Sequence, residues 1–194
     1  MSIDNKYEMI VNASIKIMKA KGFDKASVSQ IVKEAGVAQG TFYLYFDSKN
    51  AVVPAIAKRI LNTLLAEIKK AHRQDATIYD TIETVVDVTF EITKEYKELI
   101  LFCYSGLAYY HSLEIWEEIY QPYYDWMEDQ LNSAKENGLC TTKVEIGPLA
   151  RMIINVIETS AEAFYLSNQR SKETAINKDQ VVIFIKSALT DYHS

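Results

Sequence analysis

The sequence predicts an all-α protein in two parts, a helix-turn-helix head over residues 1–47 and a larger helical body over residues 48–194. Three observations carry that expectation. Apolar side chains return every three or four residues along almost the whole chain, and strand-like alternation is nowhere sustained. Glycine and proline are few, six and three in 194 residues, and most of them fall where the periodicity stops. Charge is also divided: residues 1–59 hold nine Lys/Arg against five Asp/Glu, while residues 60–194 hold twelve against twenty-one. A net charge of −5 argues against a nucleic-acid partner, but a basic front on an acidic rear points the front toward phosphate.

The elements follow in order. Tyr7, Ile10, Val11, Ser14, Ile17 and Met18 make one face of a first helix over about residues 4–21, and Gly22 stops it. Ser27 with Gln30 three residues later forms a capping box, in which each side chain satisfies an orphan N–H at a helix start. Gly36 ends that second helix after little more than two turns, because a residue without Cβ accepts the left-handed conformation of a tight turn. A third short helix starts near Ala38.

Ser48 is expected to cap a long helix through about residue 72, with Pro54 interrupting its first turns and bending it near the junction. Later periodic stretches fall at 76–94, 96–110, 113–136, 148–167 and 178–191. Pro122 is expected to kink the third of these. Gly138 and Pro148 mark a stop and a start, and Asn177 with Gln180 repeats the capping box before the last helix.

Two short helices joined by a glycine turn, with a longer helix across them, describe a helix-turn-helix DNA reader. On the second short helix Phe42 and Phe46 are four residues apart and pack inward beside Val28, Ile31 and Val37. That leaves Gln39, Thr41, Tyr43 and Tyr45 to face a DNA groove, where hydroxyl and amide groups meet base edges and phosphates. Gly40 permits close backbone approach, and Lys49 stands where it can meet a phosphate.

The segment Phe23–Lys49, FDKASVSQIVKEAGVAQGTFYLYFDSK, resembles the N-terminal signature of TetR-family transcriptional regulators. The resemblance implies a three-helix DNA-binding domain followed by a divergent ligand-binding and dimerisation domain. By position it implies base or phosphate contacts for Gln39, Gly40, Thr41 and Tyr43, backbone contacts for Tyr45 and Lys49, and phosphate contacts for Ser27 and Ser29. Ala38 departs from the pattern, standing where the family often has a capping Ser. Leu44 and Asn50 are variable choices that bear on the operator sequence.

In the body, residues 96–126 concentrate aromatic side chains, chiefly tyrosines, whose hydroxyls want partners when buried. That composition fits an apolar cavity with a few polar anchors. From helical phase the wall residues are Phe90, Cys103, Tyr104, Leu107, Tyr110, Trp116, Tyr120, Tyr123 and Phe164. Few charges fall on the inner faces, so the expected effector is a small hydrophobic or amphipathic molecule. No metal and no cofactor are expected: His72, His111 and His193 do not cluster, and the His111–Glu114 pair is the only spacing of interest.

Cys103 and Cys140 match no metal or redox spacing and read as buried thiols. The apolar faces of 148–167 and 178–191 are expected to pair across a two-fold axis, making a homodimer suited to a palindromic operator. Asp4 and Glu8 with no continuous apolar run rule against a signal peptide, so the cytoplasm is the expected compartment.

No Gly-x-Ser-x-Gly elbow, His-Glu-x-x-His helix, phosphate-cradling glycine loop or dinucleotide fingerprint is present, so an enzyme is not expected. The function expected is a repressor released from DNA by its ligand. The alternative is a helix-turn-helix regulator controlled by a protein partner, with the aromatic body as the partner surface.

Overall fold

Each short helix of the head is bounded by the residue that the sequence singles out. In the computed structural model, which describes residues 3–107, 113–166 and 177–191, α1 runs Ile3–Lys21, α2 Val28–Ala35 and α3 Gln39–Tyr43. Ser27 Oγ accepts from Gln30 N at 3.3 Å, and Ser27 N donates to Gln30 Oε1 at 3.2 Å, which completes the capping box. Gly36 closes α2 at φ 66°, and its neighbour Val37 donates back to Val32 O at 3.0 Å. Ala38 enters α3 in extended conformation with no side-chain cap.

A 3₁₀ turn, Asn50–Val52, then leads into α4, Val53–Ala71. Ser48 Oγ accepts from Ala51 N at 3.3 Å, so the serine caps this turn. The single helix expected from residue 48 is therefore corrected. Pro54 lies in the first turn of α4, where the missing N–H is one that has no helical partner anyway, so it begins the helix instead of interrupting it.

The two stretches expected at 76–94 and 96–110 form one helix, α5, Ile78–Leu107. The residues from Lys94 to Glu98, across which the break was placed, are ones a helix tolerates, with neither Gly nor Pro to stop it. Helix α6 spans Leu113–Glu136 with Pro122 inside it, α7 spans Ile146–Leu166, and α8 spans Lys178–Ala188 behind the Asn177–Gln180 capping box. Among the described residues there is no strand, and no helix is long and apolar enough to cross a membrane.

The chain packs as two compact units. The first joins residues 1–60 to Glu98–Glu117, so the boundary expected between residues 47 and 48 falls inside it. Its core is Ile10, Val11, Met18, Ile31, Val32, Phe42, Phe46 and Ile56. Arg59 of α4 is fastened to α1, reaching Asn12 Oδ1 at 2.6 Å and the Glu8 carboxylate. The Phe23 ring, in the α1–α2 loop, stacks on Phe102 of α5 with centroids 3.8 Å apart.

The second unit joins Leu61–Lys97 to residues 118–194. Its core is built from Ile68, Ile82, Val86 and Phe90, from Met127 and Leu131, from Ile153, Ile154 and Ile157, and from Val181 and Ile185. Thr141 N and Thr142 N both donate to Leu189 O, at 2.9 and 3.2 Å, which fixes the end of α8 to the loop after α6. Both cysteines are buried free thiols, Cys103 in the first unit and Cys140 in the second.

Candidate DNA interface and ligand site

Helix α3 is one turn and a half long, and its two faces differ completely. Phe42 is wholly buried and Phe46 nearly so, with their rings 5.6 Å apart, and Tyr7 of α1 stacks on Phe46 at 5.4 Å. These rings set the rotation of the helix. Gln39, Gly40, Tyr43 and Leu44 are left exposed, while Thr41 and Tyr45 are half-buried. Tyr45 leans edge-on against Tyr7 at 5.9 Å, so its ring belongs partly to the packing of the head.

A Cβ built at Gly40 meets nothing within 4 Å, and its φ lies outside the left-handed range. The protein's own packing therefore gives no reason for glycine at this position.

Lys49 is turned inward. Its Nζ donates to Phe23 O at 2.8 Å and Ala26 O at 2.9 Å and sits 3.9 Å above the Phe23 ring. A charged donor on two carbonyls is stronger than a neutral hydrogen bond, so this lysine pins the α1–α2 loop. Ser27 is exposed but committed to its cap, and Ser29 is exposed beside it on α2. Leu44, 80% exposed at the end of α3, is a further exposed residue of this face that the motif does not single out for contact. The signal was available: two residues from both Phe42 and Phe46, it must point away from the core.

The predicted wall residues of the body divide between the two units. Cys103 and Trp116 belong to the first, and Phe90, Tyr120, Tyr123 and Phe164 to the second. Tyr110 lies outside the described residues, as do the side chains of Tyr104 and Leu107 and both His111 and His193. Burial pushes the Cys103 thiol up to about 12, which keeps it protonated and unreactive at neutral pH. His72 is engaged with Thr81 Oγ1 at 3.1 Å, and the described residues hold no cluster of metal-binding side chains.

Within the second unit Phe90 meets Phe164 at 5.8 Å and Tyr165 at 6.1 Å. Tyr120 stacks on Tyr124 at 5.6 Å and donates to Glu158 Oε2 at 2.8 Å. Glu158 is the functional candidate that helical phase alone missed. Glu158 is half-buried, and burial, opposed by the Tyr120 hydroxyl and helped by the neighbouring Glu162, holds its carboxyl up at about 8. Beside it, Tyr123 and Thr89 are 2% and 1% exposed, yet Tyr123 Oη and Thr89 Oγ1 have no hydrogen-bond partner. The expectation of few inward charges is thus modified at one place, a carboxyl facing tyrosines.

Helices α7 and α8, expected to pair across a two-fold axis, bury Leu149, Ile153, Ile157, Val181 and Ile185 inside the chain and keep other apolar groups outside: Met152 is 49% exposed, Ile183 64% and Phe184 61%. A groove of about 540 Å³ runs between the two helices, lined by Val156 and Thr159 of α7 and by Val181 and Phe184 of α8.

A three-helix reader whose recognition helix presents polar groups outward, on a chain with an all-helical body, defines a class of bacterial transcription regulators. Residues 10–56 match the model of bacterial regulatory proteins of the tetR family, and residues 82–189 match the tetracyclin repressor-like C-terminal domain. The chain belongs to the TetR family and is a transcriptional regulator, not an enzyme.

It is 46% identical over 184 residues to the uncharacterized HTH-type transcriptional regulator YvdT of Bacillus subtilis, covering 95% of both chains. Two solved structures share the fold. Bacillus subtilis FadR in complex with stearoyl-CoA superposes with a TM-score of 0.71 at 21% identity, over 95% of this chain and 100% of that one. Thermus thermophilus FadR in complex with lauroyl-CoA gives 0.73 at 19% identity, over 96% of each.

Proposed function

We propose that this regulator is a homodimeric repressor that grips a palindromic operator with α3 of each copy and releases it when a small amphipathic ligand enters the helical body. The observation that carries the reading is the division of α3. Its aromatic face is consumed by the core, while Gln39, Gly40 and Leu44 are exposed and Tyr43, also exposed, touches the core only edge-on at the Phe42 ring, 5.5 Å away.

Gln39 is suited to bidentate recognition of adenine and Leu44 to contact with a thymine methyl, while Thr41, Tyr43 and Tyr45 offer hydroxyls to bases or phosphates. The glycine at position 40 leaves room for a phosphate or base edge. Lys49 acts mainly by fixing the loop, with one of its three N–H donors left for a phosphate. Ser27 and Ser29 extend the phosphate contacts.

The exposed apolar strip and groove on α7 and α8 support pairing through these helices, since single exposed large apolar residues are ordinary but a grooved cluster marks an interaction surface. The fold neighbours that hold acyl-CoA support an amphipathic effector for the body. Release works through α4: Arg59 ties it to α1, so a shift of α4 carries the reader with it. Ligand must favour the DNA-free arrangement, and by linkage DNA weakens ligand binding by the same factor.

The test is selection from a pool of random duplex DNA by the purified protein, with the Gln39→Ala/Tyr43→Ala variant as control. A palindrome enriched by the native protein and lost with the variant is the expected result. Enrichment of the same sequence by both proteins would remove α3 from the interface.

A further inference from the structure

The unsatisfied hydroxyls beside Glu158 require an explanation. A buried polar atom without a partner costs on the order of 1–3 kcal/mol, and a half-buried carboxylate without a counter-charge adds to that cost. Here three elements bring such groups to one place: Thr89 from α5, Tyr120 and Tyr123 from α6, and Glu158 from α7. Tyr123 feels both the Thr89 hydroxyl and the Glu158 charge, so the two oxygens lie close to one another and to the carboxyl without completing a hydrogen bond.

What acts on Glu158 is burial, the Tyr120 hydroxyl and the Glu162 carboxylate, none of which is a cation. Two cations on these helices have contacts of their own: the Arg151 guanidinium, two turns earlier on α7, lies 4.1 Å over the Tyr124 ring, and Lys178 of α8 holds Asp87 at 2.9 Å on α5.

We propose that Thr89, Tyr120, Tyr123 and Glu158 form the polar end of the ligand site and that the group they take is a primary ammonium at the head of an apolar molecule. The inference deepens the ligand-responsive reading above and rests on it. A primary ammonium carries three N–H donors and no acceptor. Tyr123 Oη, Thr89 Oγ1 and a carboxylate oxygen of Glu158 are three acceptors, and the tyrosine rings add faces that attract a cation. A carboxylate or phosphate head would meet the Glu162 carboxylate as a like charge and would hold Glu158 in its protonated form, where an ammonium draws it into ionising.

An entering cation also supplies the counter-charge that the carboxyl lacks. Glu158 then gives up its proton on binding, and affinity for a permanently charged head rises as pH is raised toward about 8 and levels off beyond it. On the facing helix Tyr120 and Tyr123 are held above their ordinary values by burial, so they stay protonated throughout this range.

The experiment is calorimetric titration of the full chain with dodecylammonium, dodecanol and dodecanoate, all below their aggregation limits. The expected order is ammonium over alcohol over carboxylate, with the ammonium-to-alcohol affinity ratio falling at least tenfold in Glu158→Gln. A second measurement avoids the variant: in the native protein that ratio rises between pH 6 and pH 8. If dodecanol or dodecanoate binds and ammonium has no advantage, the head-group assignment is overturned and the ligand site stands. If none of the three binds while lauroyl-CoA does, the assignment is again overturned. Failure of all four takes the ligand-responsive reading with it.

Discussion

The head and the body are specified by different kinds of information. In the head each boundary depends on one residue that makes it chemically: Ser27 bonds the start of α2, Gly36 supplies the left-handed turn, and Phe42 and Phe46 fix the rotation of α3. In the body the decisive groups, Glu158, Tyr123 and Thr89, come from three helices distant in sequence, and only packing brings them together. Local chemistry is legible along a chain. Convergence in space is not, and a ligand site is made of convergence.

The largest effect that tests this contrast is Phe42→Ala. Removing a wholly buried ring costs about 3–5 kcal/mol, enough to unfold a small three-helix core. Native-state hydrogen exchange should show protection collapsing in α1–α3 while α7 and α8 keep theirs. Equal loss in both regions would mean that the head has no separate stability.

The next concerns the body. Folded Glu158 keeps its proton to about pH 8, whereas its ordinary value is 4.5, so between these values the folded state binds the extra proton. Stability therefore falls as pH rises from about 4.5 to about 8 and then levels off. Glu158→Gln removes this contribution, so the native protein should lose roughly 3 kcal/mol relative to the variant across that window, a figure discounted for partial exposure. Parallel urea denaturation curves of the two proteins at pH 5 and pH 8 check it, and a constant difference would place the carboxyl in water.

The smallest effects are in α3. Gly40→Ala should stabilise the head by about 0.5–1 kcal/mol, because alanine loses less entropy in a helix and meets no neighbour here, yet it should weaken operator binding at least tenfold. Ala38→Ser should add about 1 kcal/mol through a missing cap. Thermal melts paired with operator titrations separate the two readouts. If Gly40→Ala binds DNA as the native protein does, the glycine has no role at the interface.

The helices themselves were readable from periodicity, and α6 and the two capping boxes fall where Leu113, Ser27 and Asn177 place them. The junctions were less so. Pro54 looks like an interruption until the 3₁₀ turn before it is known, and the break expected near residue 95 has no helix-stopping residue behind it. Lys49 shows the limit for single residues: its motif position points to phosphate, and the nearest acceptors turn out to be two carbonyls of its own chain. The carboxyl at Glu158 was invisible for a related reason, since one acid in an apolar helix has the same pattern on an outer face as on an inner one.

The stacking of Phe23 on Phe102 has a consequence for anyone who would build chimaeras from this regulator. A cut after residue 47 looks modular on paper, but it would carry away the α1–α2 loop and leave behind the ring on which that loop rests. The transplanted reader would expose Phe23 to water and lose Lys49, the clamp beneath which that ring lies. A graft that preserves the native reader has to bring Lys49 and an aromatic side chain at the position of Phe102 along with it.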